Sequence, residues 1–251
     1  MDQITSRSNP LIARFRRLAV DRKLRRAEGV LVCEGPKMLS EALRWGFGPQ
    51  AALVTEDVDF PAETRAVRVP ADLLRSVAPT QTPQKVLFLA PLPHAALPDR
   101  LTGKRYLVLD GVQDPGNVGT LWRTADAVGA DGLVLLPGCA DPWSPKTVRA
   151  TMWACFRLPV WETDLDALLP VLGRSGLPLY AAALRDDTLD LRDLDADRAA
   201  VVIGSEGRGV SRGVLDACAA TVKIPMTDRC ESLNAAAAGA VLLWELARGS
   251  L

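Results

Sequence analysis

Apolar positions along this chain fall into solid runs of four or five residues separated by stretches with helical spacing. Leu11, Ile12, Phe15 and Leu18 stand at three- and four-residue intervals behind Asn9-Pro10, a cap and first-turn pair, so the spacing predicts one amphipathic helix from Pro10 to Arg26. The runs at 30–33, 51–54 and 85–89 predict strands, and 36–45 and 71–77 predict helices, which together make a small α/β unit. The pattern lapses over 90–103, APLPHAALPDRLTG, where Pro91, Pro93 and Pro98 break any period. Beyond it, 106–109, 133–136, 179–183, 200–203 and 222–224 predict strands, and 118–128, 145–153, 165–172 and 232–248 predict helices. These later strands are apolar throughout instead of alternating, as in a parallel sheet covered on both faces. The expected domains are 1–95 and 104–251.

With 48% hydrophobic and 24% charged residues in 251, the composition excludes a disordered chain or a small disulfide scaffold. Lys and Arg number 30, as do Asp and Glu, so affinity for nucleic acid has to come from a local patch. Residues 1–26 supply one, with eight basic side chains against two acidic, whereas 160–200 carries nine acidic against four basic. Five cysteines without a CxxC pair and a single histidine, His94, support neither a metal site nor a disulfide framework. His94 lies among prolines and reads as part of a linker, which disfavours Ser-His or Cys-His catalysis. The opening MDQITSRSNP has no apolar signal core and no run approaches ~18 apolar residues, so the expected location is the cytoplasm, without a membrane partner.

Three clusters each begin at the carboxyl end of a predicted strand, where open α/β sheets bind ligands. In LDGVQDPGNVGTLWRTADAVGADG, residues 109–132, Asn117 is a candidate helix cap, and Arg123 is expected two turns along on the same side, suited to a phosphate-bearing substrate. VVIGSEGRGVS, 201–211, runs a strand into a glycine-rich loop at Gly204, Gly207 and Gly209 that matches neither dinucleotide nor P-loop spacing. Glu206 there would repel a phosphate and favours a cationic or hydroxyl-bearing ligand. In VKIPMTDRCESLNAAAAGAVLLWELAR, 222–248, Ser232, Leu233 and Asn234 open a helix of small residues that permits close packing. Taken singly, each has an ordinary structural reading as a cap, a solvated charge, a turn or helix packing.

In order and spacing the three clusters resemble the motifs of the SpoU/TrmH family of RNA ribose methyltransferases: DPGNVGTLWRTADAVGADG the first, IGSEGRGVS the second, and IPM followed by ESLNAAAAG the third. The segment ITSRSNPLIARFRRLAVDRKLRRAEGVLVCEGPKMLSEAL resembles that family's amino-terminal RNA substrate-binding domain. The resemblance implies a trefoil-knotted α/β methyltransferase domain that binds S-adenosylmethionine, works as a homodimer on RNA, and is preceded by a small α/β substrate-binding domain. Carried over, it places Asn117, Arg123, Glu206, Ser232 and Asn234 in the catalytic set, and backbone around Leu136, Gly204, Ile224, Met226 and Leu233 around the cofactor. Arg7, Arg14, Arg16, Arg17, Arg25 and Arg26 become the expected RNA-backbone surface.

The chain departs from the family pattern in RATMWACFRLPV, where Thr151 and bulky Trp153 replace a serine and small residues, and at Asp228 and Ala236, which replace a glycine and a serine. The expected reaction is 2′-O-methylation of a ribose in ribosomal RNA. Transfer RNA as substrate, a lapsed enzyme serving as an RNA-binding or ribosome-assembly protein, and a Rossmann oxidoreductase are the alternatives.

Overall fold

The computed structural model describes residues 1–93, 95–230 and 232–249, so His94, Glu231, Ser250 and Leu251 lie outside the described residues. Contacts group the chain into two compact units, Met1–Pro93 with Asp141–Arg157, and His94–Ala140 with Leu158–Leu251.

The first unit opens with β1 (Asp2–Gln3), α1 (Pro10–Val20), α2 (Arg22–Glu28), β2 (Val30–Glu34), α3 (Pro36–Arg44), β3 (Ala51–Val54), β4 (Arg65–Arg68), α4 (Ala71–Arg75) and β5 (Val86–Pro91). Its sheet runs β1-β4-β3-β5-β2, with β5 antiparallel to both neighbours and the remaining pairs parallel. The Asn9 side chain accepts the Leu11 N–H at 2.9 Å, and Leu11, Ile12, Phe15 and Leu18 bury their face in one cluster with Val30, Val32, Leu53 and Leu87. Each such side chain contributes roughly 1.5–3 kcal/mol. The expected single helix to Arg26 is two helices. Asp21 takes an extended backbone and its side chain accepts the Leu24 N–H at 2.9 Å, so the residue that ends α1 caps α2. Strands β1 and β4 escape the periodicity because one has two residues and the other is Arg-Ala-Val-Arg.

The second unit begins with β6 (Arg105–Asp110), α5 (Pro115–Ala127) and β7 (Gly132–Leu135). The chain then contributes α6 (Pro145–Ala150), which packs on β2 and groups with the first unit although it lies within 104–251. The helix expected over 145–153 stops early: Met152 (φ 45°) and Trp153 (φ 77°) turn left-handed. Back in the second unit follow β8 (Val160–Glu162), α7 (Leu165–Ser175), β9 (Leu179–Ala182), β10 (Leu189–Asp190), β11 (Ala199–Gly204), α8 (Arg212–Ala217), β12 (Ala220–Lys223) and α9 (Ala235–Ala247).

Seven strands in the order β10-β12-β9-β11-β6-β7-β8 form the expected parallel sheet, and every pairing is parallel. Its core gathers Val108, Val134, Leu172, Ala181 and Val202. The end of the proline-rich stretch is packed: Leu101 is buried and its N–H donates to Ser175 Oγ at 2.8 Å. Among the described residues no helix is long and apolar enough to cross a membrane.

Candidate active site

Three loops meet beyond the carboxyl ends of β6, β11 and β12. In the first, the cap of α5 is Asp114, whose side chain accepts the Asn117 N–H at 3.0 Å. Asn117 is therefore in the first turn and is not the cap; Pro115 at the first helical position puts the cap one residue before it. With its own N–H satisfied by Asp114, Asn117 has its side-chain amide free to reach across. Six residues further along at 3.6 per turn, Arg123 lies about 120° round the axis, not on the Asn117 side. It is exposed, with no ion-pair or hydrogen-bond partner among the described residues.

In the second loop, Ser205 and Gly209 exchange two backbone hydrogen bonds, Ser205 N to Gly209 O at 3.0 Å and the reverse at 2.8 Å, and close a hairpin with Glu206 at its turn. The glycines serve two purposes. Gly209 takes φ 67°, while a Cβ on Gly204 would overlap the backbone of Gly209 and Val210. Gly204 is thus required by the loop folding on itself. The half of the loop beyond Gly209 is tied to β6 where Ser211 N–H donates to the buried Asp110 carboxylate at 2.6 Å. In the third loop, Asn234 caps α9, its Oδ1 accepting from Ala236 N at 2.8 Å and Ala237 N at 3.3 Å. Helix α9 thus starts at 235, three residues later than its spacing predicts. Gly239 lets it press on α5, since a Cβ there would overlap Leu121.

Asn234 Nδ2 donates to Asn117 Oδ1 at 3.2 Å, and Asn117 Nδ2 donates to Glu206 Oε1 at 2.9 Å. The directions are forced. An ionised carboxylate only accepts, so Asn117 must turn its NH₂ to Glu206 and its oxygen to Asn234, which leaves the Asn234 oxygen for the helix N–H groups. One residue from each motif is joined in a single polar chain. Gln113 N–H adds a contact to Glu206 Oε2 at 3.3 Å. Burial alone would raise the Glu206 pKa, but donation by the Asn117 amide and by the backbone of Glu206, Gln113 and Asp114 outweighs it, and the pKa falls below the ordinary 4.5. Glu206 is an anion at neutral pH whose donors are neutral, and it has no ion-pair partner among the described residues.

Beside this chain of amides opens a cavity of about 530 Å³, bounded by Ala182, Ile203 and Val222 on the strands, by Glu206 and Asn234, and by Ile224, Met226 and Leu233 on the third loop. Of the residues expected around a cofactor, Gly204, Ile224, Met226 and Leu233 line it, and so does Ser232. Leu136 does not: it is buried in the sheet core, its N–H on Leu109 O at 2.8 Å. Met226 and Leu233 are 43% and 39% exposed, apolar surface that a ligand in the cavity would cover. The sequence motifs do not single out Asp114, Asp110 or Gln113 for this architecture, although the Asp-Pro pair at 114–115 is a cap signal in its own right.

The arginines expected to form the RNA surface divide. Arg25 is a correction: it is 3% exposed, donating to Leu18 O at 2.7 Å and Asp141 Oδ2 at 2.6 Å, because the break at Asp21 turns it inward. Arg26 lies 3.6 Å from the same Asp141, Arg14 pairs with Glu28 at 2.7 Å, and Arg7 reaches Asp72 at 3.4 Å. Arg16 and Arg17 stand exposed on α1 without a partner among the described residues.

The family described as the SpoU rRNA methylase family matches residues 104–244, and the MRM3-like substrate binding domain matches 9–88. The 23S rRNA (guanosine(2553)-2′-O)-methyltransferase RlmP of Bacillus subtilis is 30% identical over 250 residues, covering 98% of this chain and 99% of its own. The AdoMet-bound rRNA methyltransferase of Sinorhizobium meliloti superposes with a TM-score of 0.90 at 29% identity, over 100% of this chain and 98% of that one. The SpoU methyltransferase AviRb of Streptomyces viridochromogenes, in complex with AdoMet, gives a TM-score of 0.81 at 25% identity over 96% and 98%. Motifs that converge on one cavity, and likeness along nearly the whole length, lead to the same place: the chain belongs to the SpoU rRNA methylase family.

Proposed function

We propose that this protein methylates the 2′-hydroxyl of a ribose in ribosomal RNA, using S-adenosylmethionine. The observation that carries the reading is the Asn234–Asn117–Glu206 chain of hydrogen bonds, which joins one residue from each of three loops, two of them, Glu206 and Asn234, lining a single cavity. The wall suits this cofactor: apolar Ile224, Met226 and Leu233 for a flat heterocycle, and the Glu206 anion for a cation. When bound, S-adenosylmethionine supplies an electrophilic methyl on a positively charged sulfur.

The residues of this chain then position the alcohol. Asn117 Oδ1 has a second lone pair beyond the one engaged by Asn234, and it accepts a hydrogen bond from the ribose hydroxyl, whose proton is lost to solvent water as the oxygen takes the methyl. Holding reacting groups in place contributes on the order of 7 kcal/mol. Arg123, always protonated, is no base; it stabilises the oxygen as charge develops and grips a neighbouring phosphate. Ser232 lines the same cavity from the third loop.

Unlike Asn117, Arg123 neither lines its own chain's cavity nor bonds to a residue that does, so in this reading it serves the cavity of a second copy. Homodimerisation is supported by Val241 and Trp244, three residues apart on one face of α9 and 41% and 56% exposed. Arg16 and Arg17 on α1 supply the backbone contacts to RNA.

The test is transfer of labelled methyl from S-adenosylmethionine to ribosomal RNA, followed by mapping of alkali-resistant positions. Label on a base, or on transfer RNA alone, sinks the assignment. Mixing Arg123→Ala with Asn234→Ala protein, each inactive alone, is expected to restore activity through shared sites; a mixture as dead as its parts removes the role in a second copy.

A further inference from the structure

The first unit holds a separate cavity of about 200 Å³ that the proposed methyl transfer does not use. Buried Val32, Met38 and Val148 make its apolar side, and Lys37, Arg149 and Trp153 stand at its more exposed margin. The acidic group present, Glu34, is engaged within the protein, accepting from Thr80 Oγ1 at 2.8 Å and from Gln84 N–H at 2.9 Å. Lys37 and Arg149 have no ion-pair partner among the described residues. The margin is therefore net cationic around an apolar interior.

Trp153 is held there against the preference of its backbone. With Met152 it is one of two non-glycine residues at positive φ among those described, 77° and 45°, a region where a β-carbon is strained and glycine is relaxed. Its ring N–H has no hydrogen-bond partner among the described residues. The volume amounts to about seven waters' share of liquid, the size of one planar heterocycle.

From an aromatic wall, an apolar floor and two free cations, we propose that this cavity receives one unpaired base of the substrate RNA, stacked on Trp153, with the flanking phosphates met by Lys37 and Arg149. These are the elements by which single-stranded RNA is held, stacking for the base and unpaired cations for the backbone. The proposal rests on RNA being the substrate.

Full-length Trp153→Gly, Trp153→Phe and Lys37→Ala/Arg149→Ala proteins should be compared on 23S ribosomal RNA transcribed in vitro. Trp153→Gly is expected to melt at the same temperature or a few degrees higher, because the strain is relieved. Its affinity for S-adenosylmethionine and its kcat stay unchanged, while KM for RNA rises about five- to a hundredfold. Trp153→Phe recovers most of that loss, which a merely structural role would not. The double cation variant flattens the slope of log affinity against log salt by about two. Should Trp153→Gly fail to fold, Trp153→Leu against Trp153→Phe carries the same comparison. Unchanged KM and salt slope in variants that still methylate RNA overturn the pocket alone. Wild-type protein without affinity for the transcript overturns the RNA reading, and the pocket with it.

Discussion

Asp141 in the first unit and Glu206 in the second each draw several donors, and the donors differ in kind. Asp141 faces three guanidiniums, Arg25 at 2.6 Å and Arg22 and Arg26 at 3.6 Å. Glu206 is met by a side-chain amide and backbone N–H groups, none of them charged. A carboxylate among cations is spent on holding the fold, whereas one ionised by neutral dipoles keeps its charge for a ligand. On the proposed function, the contrast separates an acid that holds the fold from one that meets the cofactor, without reference to where either lies in the chain.

The largest effect expected of breaking this contrast is on Asp141. Asp141→Asn leaves the nearly buried Arg25 guanidinium without its counter-charge and is expected to destabilise the protein by roughly 3–5 kcal/mol in urea unfolding. A loss under about 1 kcal/mol would make the pair incidental. Glu206→Gln, by contrast, should leave unfolding nearly unchanged and weaken S-adenosylmethionine about ten- to a hundredfold, with little effect on S-adenosylhomocysteine, whose sulfur is neutral. Equal losses for both ligands in calorimetry would show that shape and not charge is read.

The pH dependence follows from the same carboxylate. The Glu206 pKa is lowered in the folded protein, so its contribution is fully present above the ordinary value of 4.5 and disappears only as pH falls through the lower folded value. Cofactor affinity is expected to be flat from pH 8 to about 5 on this account; a decline centred near 6 would assign the control to another group. The smallest effect concerns charge without any partner: neutralising Arg16 and Arg17 should reduce the salt slope of RNA binding by about 0.7–0.9 for each phosphate that the variant no longer neutralises. An unaltered slope would move the RNA surface elsewhere.

What the sequence discloses tracks the range of the interactions involved. The parallel sheet is legible because its long strands are apolar throughout, and the three site loops because each begins where such a strand ends. The cap of α5 lies three residues before the expected Asn117 because Asn117 and Asp114 are both good caps, and only the position of Pro115 decides between them. The burial of Arg25 is not legible, since its partner lies 116 residues away. Nor is the left-handed turn at Trp153, because local propensity assigns no tryptophan to that region. Counting helical turns too coarsely puts Arg123 on the wrong side of α5.

The grouping of residues 141–157 with the amino-terminal part has a practical consequence for dissecting the molecule. A fragment ended at the proline-rich junction would lack α6, which covers β2, and the acid that balances Arg25. Such a fragment would carry an orphaned guanidinium and an uncovered strand, and its misbehaviour in isolation would say little about RNA. An excised recognition module has to splice that distant piece back in, by a short peptide bridge, before its insolubility or silence can be interpreted.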